Sequence, residues 1–567
     1  MMLDSGVSHS AQANDNNHSP VMDCDSMNIV TPVSKTEHTS YSTGSLKELF
    51  RSIVTVQDRY SINSLLSDAQ HELKSYEHEI HRLKATVMAL ESKRDWLKRS
   101  ITRYRSLLAP IRTLPPEILT NIFALCCEEN TLDIERASPV VILSMVCAQW
   151  REIVVSTPRL WSSLCIDFQH WDVVADRVAL ERMTRLFLKR SKKSPLKLVL
   201  QLPESKNRDF HTASTLDALV DTANRWRDVT LFSPWNVGPS RPILQGLRGQ
   251  LPNLSSLHLN GTGPDDVKFD FFSSCPSLHS LRIQPGDDPY GPEYPTPRLI
   301  LPWEQITSLK MYNSFAPSAL SLLSQCSNVE YLELSLVGGG PNYSADIVSD
   351  ALRCLTIEAR EQDDVSCIFQ SSTLRNLSVI DISGDIAEPT RDWISWDGGP
   401  LTDFIRRSSC TITSFRLKWV PIKDVQLISL LELMPALRSL RIEEYTTEQT
   451  SVPFNRVVNQ RFLGHLALER DADSEYRSSK SLFLPRLTDL SLVMHNDNMD
   501  AGALVQAVSS RWLPDPEHAS VIGAECIQSL AVVVIGEDGD SCTSLEILST
   551  LECLRTTGGR VNISSRL

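Results

Sequence analysis

The sequence predicts an α/β chain: a solenoid with a parallel sheet and outer helices, preceded by a small three-helix unit and a long N-terminal coiled-coil helix. Three observations predict it. A pattern of the form apolar-x-x-apolar-x-apolar recurs a dozen times from Trp226 onward. Ahead of it lies a short stretch unusually rich in apolar residues. Ahead of that, an apolar seam of period 3.5 runs through a segment without Pro or Gly, from Ser45 to Ala109.

Composition narrows the function. The 567 residues carry 56 Lys+Arg against 69 Asp+Glu, a net charge of -13, which gives no support to a nucleic-acid or membrane-surface partner. No apolar run approaches the roughly 20 residues of a membrane-spanning helix. The opening MMLDSGVSHSAQANDNN lacks the basic and apolar regions of a secretory signal. The 13 cysteines are scattered and odd in number, so they read as reduced thiols in a cytoplasmic and/or nuclear protein. Glycine is sparse, at 22 residues, which disfavours folds built on glycine-rich phosphate loops.

Residues 1–44 are rich in Ser, Asn, Asp, His and Thr without apolar periodicity. Such a stretch does not offset its ordering entropy by burial, and the expectation is a disordered tail.

Residues 45–109 change character. With Leu66 at heptad position a, the a positions are Leu66, Leu73, Ile80, Val87, Arg94, Ile101 and Leu108. The d positions are Ile62, Ala69, Tyr76, Leu83, Leu90, Leu97 and Tyr104. Only Arg94 interrupts a coiled-coil seam that predicts one helix over 62–108. Pro110 disfavours helix at Ala109 and should end it. A shorter amphipathic piece, with Leu46, Leu49, Phe50, Ile53 and Val56, precedes the seam. A second copy of the chain (a homodimer), this short piece, or the rest of the chain are the candidate partners. The sequence leaves all three open.

Residues 110–165 should form a compact unit. Of the 55 residues from Ile111 to Cys165, 29 are apolar, 53% against 41% for the whole chain. So small a unit buries only about 60% of its unfolded surface. The excess predicts an exposed apolar patch and a docking partner. Leu114-Pro115-Pro116-Glu117 opens a helix, with Pro in the first turn and Glu117 complementing the positive helix end. Ile118, Leu119, Ile122 and Phe123 follow as a stripe at helical spacing. One second helix should present Leu143, Val146, Cys147, Trp150 and Val154 on a single face, with Pro158 closing it and Leu160 and Trp161 as anchors. The polar segment Glu128–Ser138 between them should bulge as a loop.

Residues 166–567 carry the repeat. Its strands include Leu254/Leu257/Leu259, Leu278/Leu281/Ile283, Ile306/Leu309/Met311, Val329/Leu332/Leu334 and Leu352/Leu355/Ile357. The series continues with Leu374/Leu377/Val379, Ile412/Phe415/Leu417, Leu437/Leu440/Ile442, Leu463/Leu466/Leu468, Leu487/Leu490/Leu492 and Ile527/Leu530/Val532, and Trp226/Val229/Leu231 is a diverged early copy. Nine of the eleven spacings fall between 22 and 28 residues, the period of leucine-rich repeats. The two longer spacings leave room for insertions near Pro389–Asp403 and Asn496–Ala519. Helical patterns fall between strands at Ala316–Cys326, Val425–Met434, Ala501–Trp512 and Leu545–Leu554. Cys275 and Cys326 stand three residues before a strand's first apolar position, in a turn that suits a small, partly buried residue. One repeat does not bury its own face, so the stacked units form one quasi-continuous domain.

The unit at 110–165 resembles the F-box. It reads Leu-Pro-x-Glu-Ile-Leu-x-x-Ile-Phe, then Leu-x-x-Val-Cys-x-x-Trp-Arg-x-Ile, then Pro-x-Leu-Trp. A coiled coil running into this unit and followed by leucine-rich repeats is similar to F-box proteins of mushroom-forming fungi. The resemblance implies a non-catalytic substrate receptor: docking onto a Skp-type adaptor, through it onto a cullin, with the solenoid holding a protein substrate for ubiquitin transfer. By the same resemblance Leu114, Pro115, Ile118, Leu119, Ile122, Phe123, Val146, Trp150 and Trp161 form the adaptor-facing surface or the packing that supports it. The alternative is a coiled-coil and leucine-rich-repeat scaffold in a non-ligase complex.

The sequence shows no catalytic signature, and no cofactor or metal is expected. It lacks a phosphate-binding G-x-x-x-x-G-K-[ST], a G-x-G-x-x-G, an H-E-x-x-H, a G-x-S-x-G and any C-x-x-C pair. The basic run Lys189–Lys193 has the composition of a nuclear import signal, but it reads in preference as a solvated helix C-terminus with cations matching the dipole. Residues between the apolar strand positions should point outward: His258, Arg282, Lys310, Glu333, Thr356, Ser378, Arg416, Lys418, Arg441 and Glu443. Among these Arg416, Lys418 and Arg441 fall on adjacent strands and are the expected contact for an acidic or phosphorylated substrate segment.

Overall fold

The computed structural model describes residues 47–48, 50–51, 53–133, 136–171, 174–202, 213–232, 246–261, 270–284, 299–336, 338, 346–384, 393, 395–444, 456–468, 482–495, 500–535 and 547–566. The expected tail at 1–44 lies outside them, as does part of the helical pattern at 545–554. The chain forms two compact units that divide between Thr113 and Leu114.

In the first unit, helix α1 (Val56–Leu107) is continuous over 52 residues. Thr55 and Asp58 form a capping box at its start, each side chain reaching the other's backbone N–H. The helix ends at Leu108, two residues before Pro110, where Pro110–Thr113 makes one 3₁₀ turn. No residue of α1 is buried.

The second unit is a repeating parallel β/α arrangement. Among the described residues fifteen strands form one sheet in sequence order, every pairing parallel. Ten of the twelve predicted triplets lie on these strands with their second and third apolar residues in register. For example, Leu257 pairs with Leu281, Leu281 with Leu309, and Leu309 with Leu332. These side chains are buried in one continuous core. Asn253, Asn328 and Asn376, each just before a triplet, donate a side-chain hydrogen bond to a backbone carbonyl of the preceding repeat (2.7, 2.6 and 2.7 Å). Cys275 and Cys326 are buried in the turn, and burial pushes their thiols up to about 11 and about 12.

Two triplets are corrected. Leu374/Leu377/Val379 is out of phase by three residues. The strand is Val379–Gly384, with Ile380 opposite Leu355 and Ile382 opposite Ile357. Leu377 therefore begins the repeat, while Leu374 belongs to a separate two-stranded pairing of Ser372–Leu374 with Ile347–Ser349. The outward position on this strand is Asp381 and not Ser378. Leu463/Leu466/Leu468 is not a strand. Gln460–Leu466 is helical, and the Asn459 side chain caps it by accepting from the Phe462 N–H at 3.1 Å. A Leu pair three apart satisfies a helix as well as a strand, and the Asn cap decides between them. The 389–403 and 496–519 segments hold regular structure: helix Gly399–Ser408 begins in the first, and helices Ala501–Ser510 and Pro516–Ile522 occupy much of the second.

The sheet also starts earlier than the repeat pattern. Its first strands are Thr131–Leu132 and Ser163–Asp167, followed by Leu196–Gln201. The first of these lies inside the segment expected to bulge. Asn130, fully buried, ties that segment down. Its amide donates to the carbonyls of Leu160 (2.9 Å) and Ser163 (3.2 Å), and its oxygen accepts from the Val140 N–H (3.2 Å).

Candidate partner-docking sites

Helix α2 (Pro116–Cys126) opens with Pro116 in its first turn and Glu117 beside the positive end. The expected single stripe divides into two. Leu119 and Phe123 are fully buried, and Cys127 continues that line inward. Ile118, Ile122 and Leu125, spaced by four and three, form an outer stripe, with Leu125 71% exposed.

The expected second helix is two helices. Pro139–Val146 (α3) and Ala148–Ser156 (α4) are separated by Cys147, whose backbone is extended (φ -158°, ψ 171°). Arg151 spans the break, donating from Nε to the Ser144 carbonyl at 2.9 Å while its N–H bonds the Cys147 carbonyl at 3.0 Å. The break separates residues expected on one face: Val154 is buried, Trp150 is half-buried against the Phe123 ring (centroids 4.7 Å apart), and Val146 is 56% exposed. Val146 stands with Ile142 and Met145 as an exposed stripe on α3, and α2 and α3 pack on each other.

Trp161 is wholly internal. Its indole N–H donates to the Val154 carbonyl at 2.8 Å, its ring meets Phe187 edge-on at 5.0 Å, and the Arg190 guanidinium covers it at 4.4 Å. Arg190 of the basic run is thereby committed to packing. The nine residues thus separate. Leu119, Phe123 and Trp161 are core, Leu114 and Trp150 are half-buried, and Pro115, Ile118, Ile122 and Val146 are exposed. Sequence reasoning missed Leu125, Ile142 and Met145, although Leu125 lies three residues from Ile122, Ile142 four from Val146, and Met145 beside Val146.

On the sheet, register carries one outward row across consecutive strands: His258, Arg282, Lys310, Glu333, Thr356, Asp381, Arg416 and Arg441. Lys310 Nζ bonds Glu333 at 2.5 Å, Tyr312 donates to the same carboxylate, and Arg282 stacks on the Tyr312 ring at 4.3 Å. The three predicted cations surround one carboxylate. Glu443, whose side chain is 9% exposed, lies 3.6 Å from Arg416, 3.9 Å from Lys418 and 3.7 Å from Arg441. Asp381 joins Arg416 at 3.2 Å, and burial holds its carboxyl above the usual range despite that pairing. The cluster is three cations on two carboxylates, and Arg441 is its most exposed cation.

Among the described residues no group of three or more His, Cys, Asp or Glu is arranged to hold a metal ion, and no helix is long and apolar enough to cross a membrane. A cleft of about 830 Å³ near the last strands is lined by Trp512, Pro514, Cys526 and Arg560 among others. Its cysteine is occupied: the Sγ accepts from the Leu513 N–H at 3.3 Å and contacts the Ile527 carbonyl at 3.4 Å.

No curated protein matches the chain. The F-box-like family matches it over residues 111–167, the span that holds α2, α3, α4, Trp161 and the first two strands of the sheet, and this part of the chain is an F-box-like domain.

Proposed function

We propose that the protein is a non-catalytic substrate receptor of a Skp–cullin–F-box ubiquitin ligase. F-box-like domains generally mediate adaptor binding in such complexes. The observation that carries the reading is the division of apolar residues on α2 and α3. The inner set is spent on the core, while Ile118, Ile122, Leu125, Ile142, Met145 and Val146 stay exposed in a domain that is already packed. Isolated surface apolar residues are ordinary, but two stripes on adjoining helices form a docking surface. A Skp-type adaptor is the partner that fits it, and a cullin binds through the adaptor. The repeats at 166–567 then act as a leucine-rich-repeat solenoid that presents a protein substrate with its outward sheet face, Arg416, Lys418 and Arg441 included. The seam at 45–109 acts as a coiled coil, and the assembly works in the cytoplasm, the nucleus or both.

The test is binding of the full chain to a purified Skp-type adaptor. Ile118→Glu combined with Leu125→Glu should weaken it by about 100-fold or more, because central apolar anchors dominate such interfaces. Thermal unfolding should stay unchanged. A doubly substituted protein that binds the adaptor normally removes the reading. The exposed face of α1 favours a second reading, an assembly scaffold outside a ligase. Native complexes that contain the adaptor but lack a cullin would establish that one.

A further inference from the structure

Helix α1 exposes its whole apolar seam: Leu66, Leu73, Val87 and Leu90 are each more than half exposed, and an a/d seam of this length is the surface that a partner helix packs against. We infer that this seam pairs with α1 of a second copy of the chain, and that the two helices run antiparallel. The flanking charges decide the direction. The first half of the helix is acidic beside the seam (Glu72, Glu77, Glu79), and the second half is basic (Lys84, Lys93, Lys98, Arg105) except at Glu91.

In a parallel pair, each g position faces the following e position of the other helix. Glu72 would then meet Glu77 and Lys93 would meet Lys98, with only Glu79 against Lys84 attractive. Arg94, at position a, would meet Arg94 of the second copy inside the seam.

In an antiparallel pair, g faces g, e faces e, and a packs against d. The register that places Ile80 on Leu83 of the second copy, and Leu73 on its Leu90, sets Glu72 against Lys93 and Glu77 against Lys84. Two-fold symmetry makes each pairing occur twice, and no like charges meet. Arg94 then packs against Ala69, the smallest residue of the seam. Sliding by one heptad loses this. One direction brings Glu77 to Glu91 and Lys84 to Lys84; the other brings Glu79 to Glu79 and Glu77 to Glu77. The charge pattern therefore selects the antiparallel direction. A slide of two heptads also pairs Glu77 with Lys98 and Lys84 with Glu91, but it leaves Ile62 and Leu66 unpaired and sets Arg94 on Leu83, so seam overlap and the Arg94–Ala69 fit select this register. The two chains leave such a pair at opposite ends, so one assembly carries two F-box-like domains.

The Lys93→Glu substitution separates the directions by the sign of its effect. On its own helix Lys93 has Ala89, Leu90, Trp96 and Leu97 at three and four residues' distance, so the change breaks no intrahelical ion pair. In sedimentation equilibrium the full chain should form a reversible dimer. Lys93→Glu should weaken it by about tenfold, because both copies of an attractive pair become repulsive. Adding Glu72→Lys should restore most of the loss. A parallel pair predicts the reverse, since the introduced carboxylate would face Lys98 of the second copy. A full chain that stays monomeric at tens of micromolar overturns the inference, as does a dimer that Lys93→Glu tightens or leaves unchanged.

Discussion

Ile118 and Leu119 are adjacent in sequence and opposite in role. Leu119→Ala should cost about 2–5 kcal/mol of stability, the usual toll of a cavity at a fully buried leucine. Ile118→Ala should leave unfolding unchanged, and differential scanning of both variants checks the contrast. The same reasoning applies on the sheet. Replacing Arg416, Lys418 and Arg441 together would strand Glu443 among three missing partners, and any change in binding would then be confounded with instability. Arg441→Gln keeps the network's other contacts. Asp364 shows what an unpaired charge does at this scale. Its side chain is buried with Oδ2 unbonded, and burial, reinforced by Glu361, pushes its carboxyl up to about 7. Relative to an ordinary carboxyl near 3.8, the folded state then holds a proton that the unfolded chain has released. Stability due to this group is complete below pH ~4 and falls as pH rises toward ~7. Asp364→Asn should therefore stabilise the protein by about 2 kcal/mol at pH 8 and by little at pH 4. Denaturant melts at the two pH values check it. His258 has the opposite sign. Burial, with Arg282 nearby, lowers it to about 4, so its contribution is lost as pH falls from ~6.5 toward ~4.

At the scale of the element, what could be read from sequence was what a periodic pattern specifies uniquely. The 3.5-residue seam and the absence of Pro and Gly fixed α1. The apolar triplet recurring at near-regular spacing fixed most strands. Where one local pattern served two structures, tertiary contacts chose. Leu374 and Leu377 both begin plausible triplets, and the choice rests on Asn376 reaching the Asp350 carbonyl in the preceding repeat. The break at Cys147 left no Pro or Gly signal, and neither did the capture of Thr131–Leu132 by the sheet, which depends on Asn130 reaching residues some thirty positions away. The division of the F-box-like stripe into inner and outer halves depends on what packs beneath the helix. Arg511 was equally hidden. It is fully buried, donates to the carbonyls of Leu466, Phe483 and Leu484, and is lowered to about 10 by burial. Leu466 ends the helix Gln460–Leu466, and Phe483 and Leu484 lie just ahead of strand Asp489–His495, so one guanidinium ties the two elements together. Arg511→Met should cost about 3–5 kcal/mol, because it strands three buried acceptors and supplies none. Denaturant melts of the variant beside the parent chain check it.

Across the second unit, the F-box-like domain and the repeats share one sheet. Thr131–Leu132 pairs with Ser163–Asp167, which pairs with Leu196–Gln201, and the ladder continues to Arg560–Arg566. The core is likewise continuous, with Leu119, Phe123 and Trp161 in the same cluster as the repeat leucines. In a stacked array each unit is stabilised mainly by its neighbours, and an end unit needs a cap. The F-box-like domain supplies that cap: it covers the edge of Leu196–Gln201 with a paired strand and places Trp161 against Phe187 of the next helix. The F-box-like domain is therefore not a detachable module. A chain beginning at residue 174 would expose an unpaired edge at Leu196–Gln201, the kind of edge that templates aggregation. That truncated chain should be largely insoluble or dimerise edge to edge, whereas one beginning at residue 110 should stay soluble and melt cooperatively. Light scattering and thermal melts of the two fragments decide the point. A soluble, well-folded 174–567 would show that the repeats cap themselves, and the shared sheet would then be a consequence of docking and not a condition of stability.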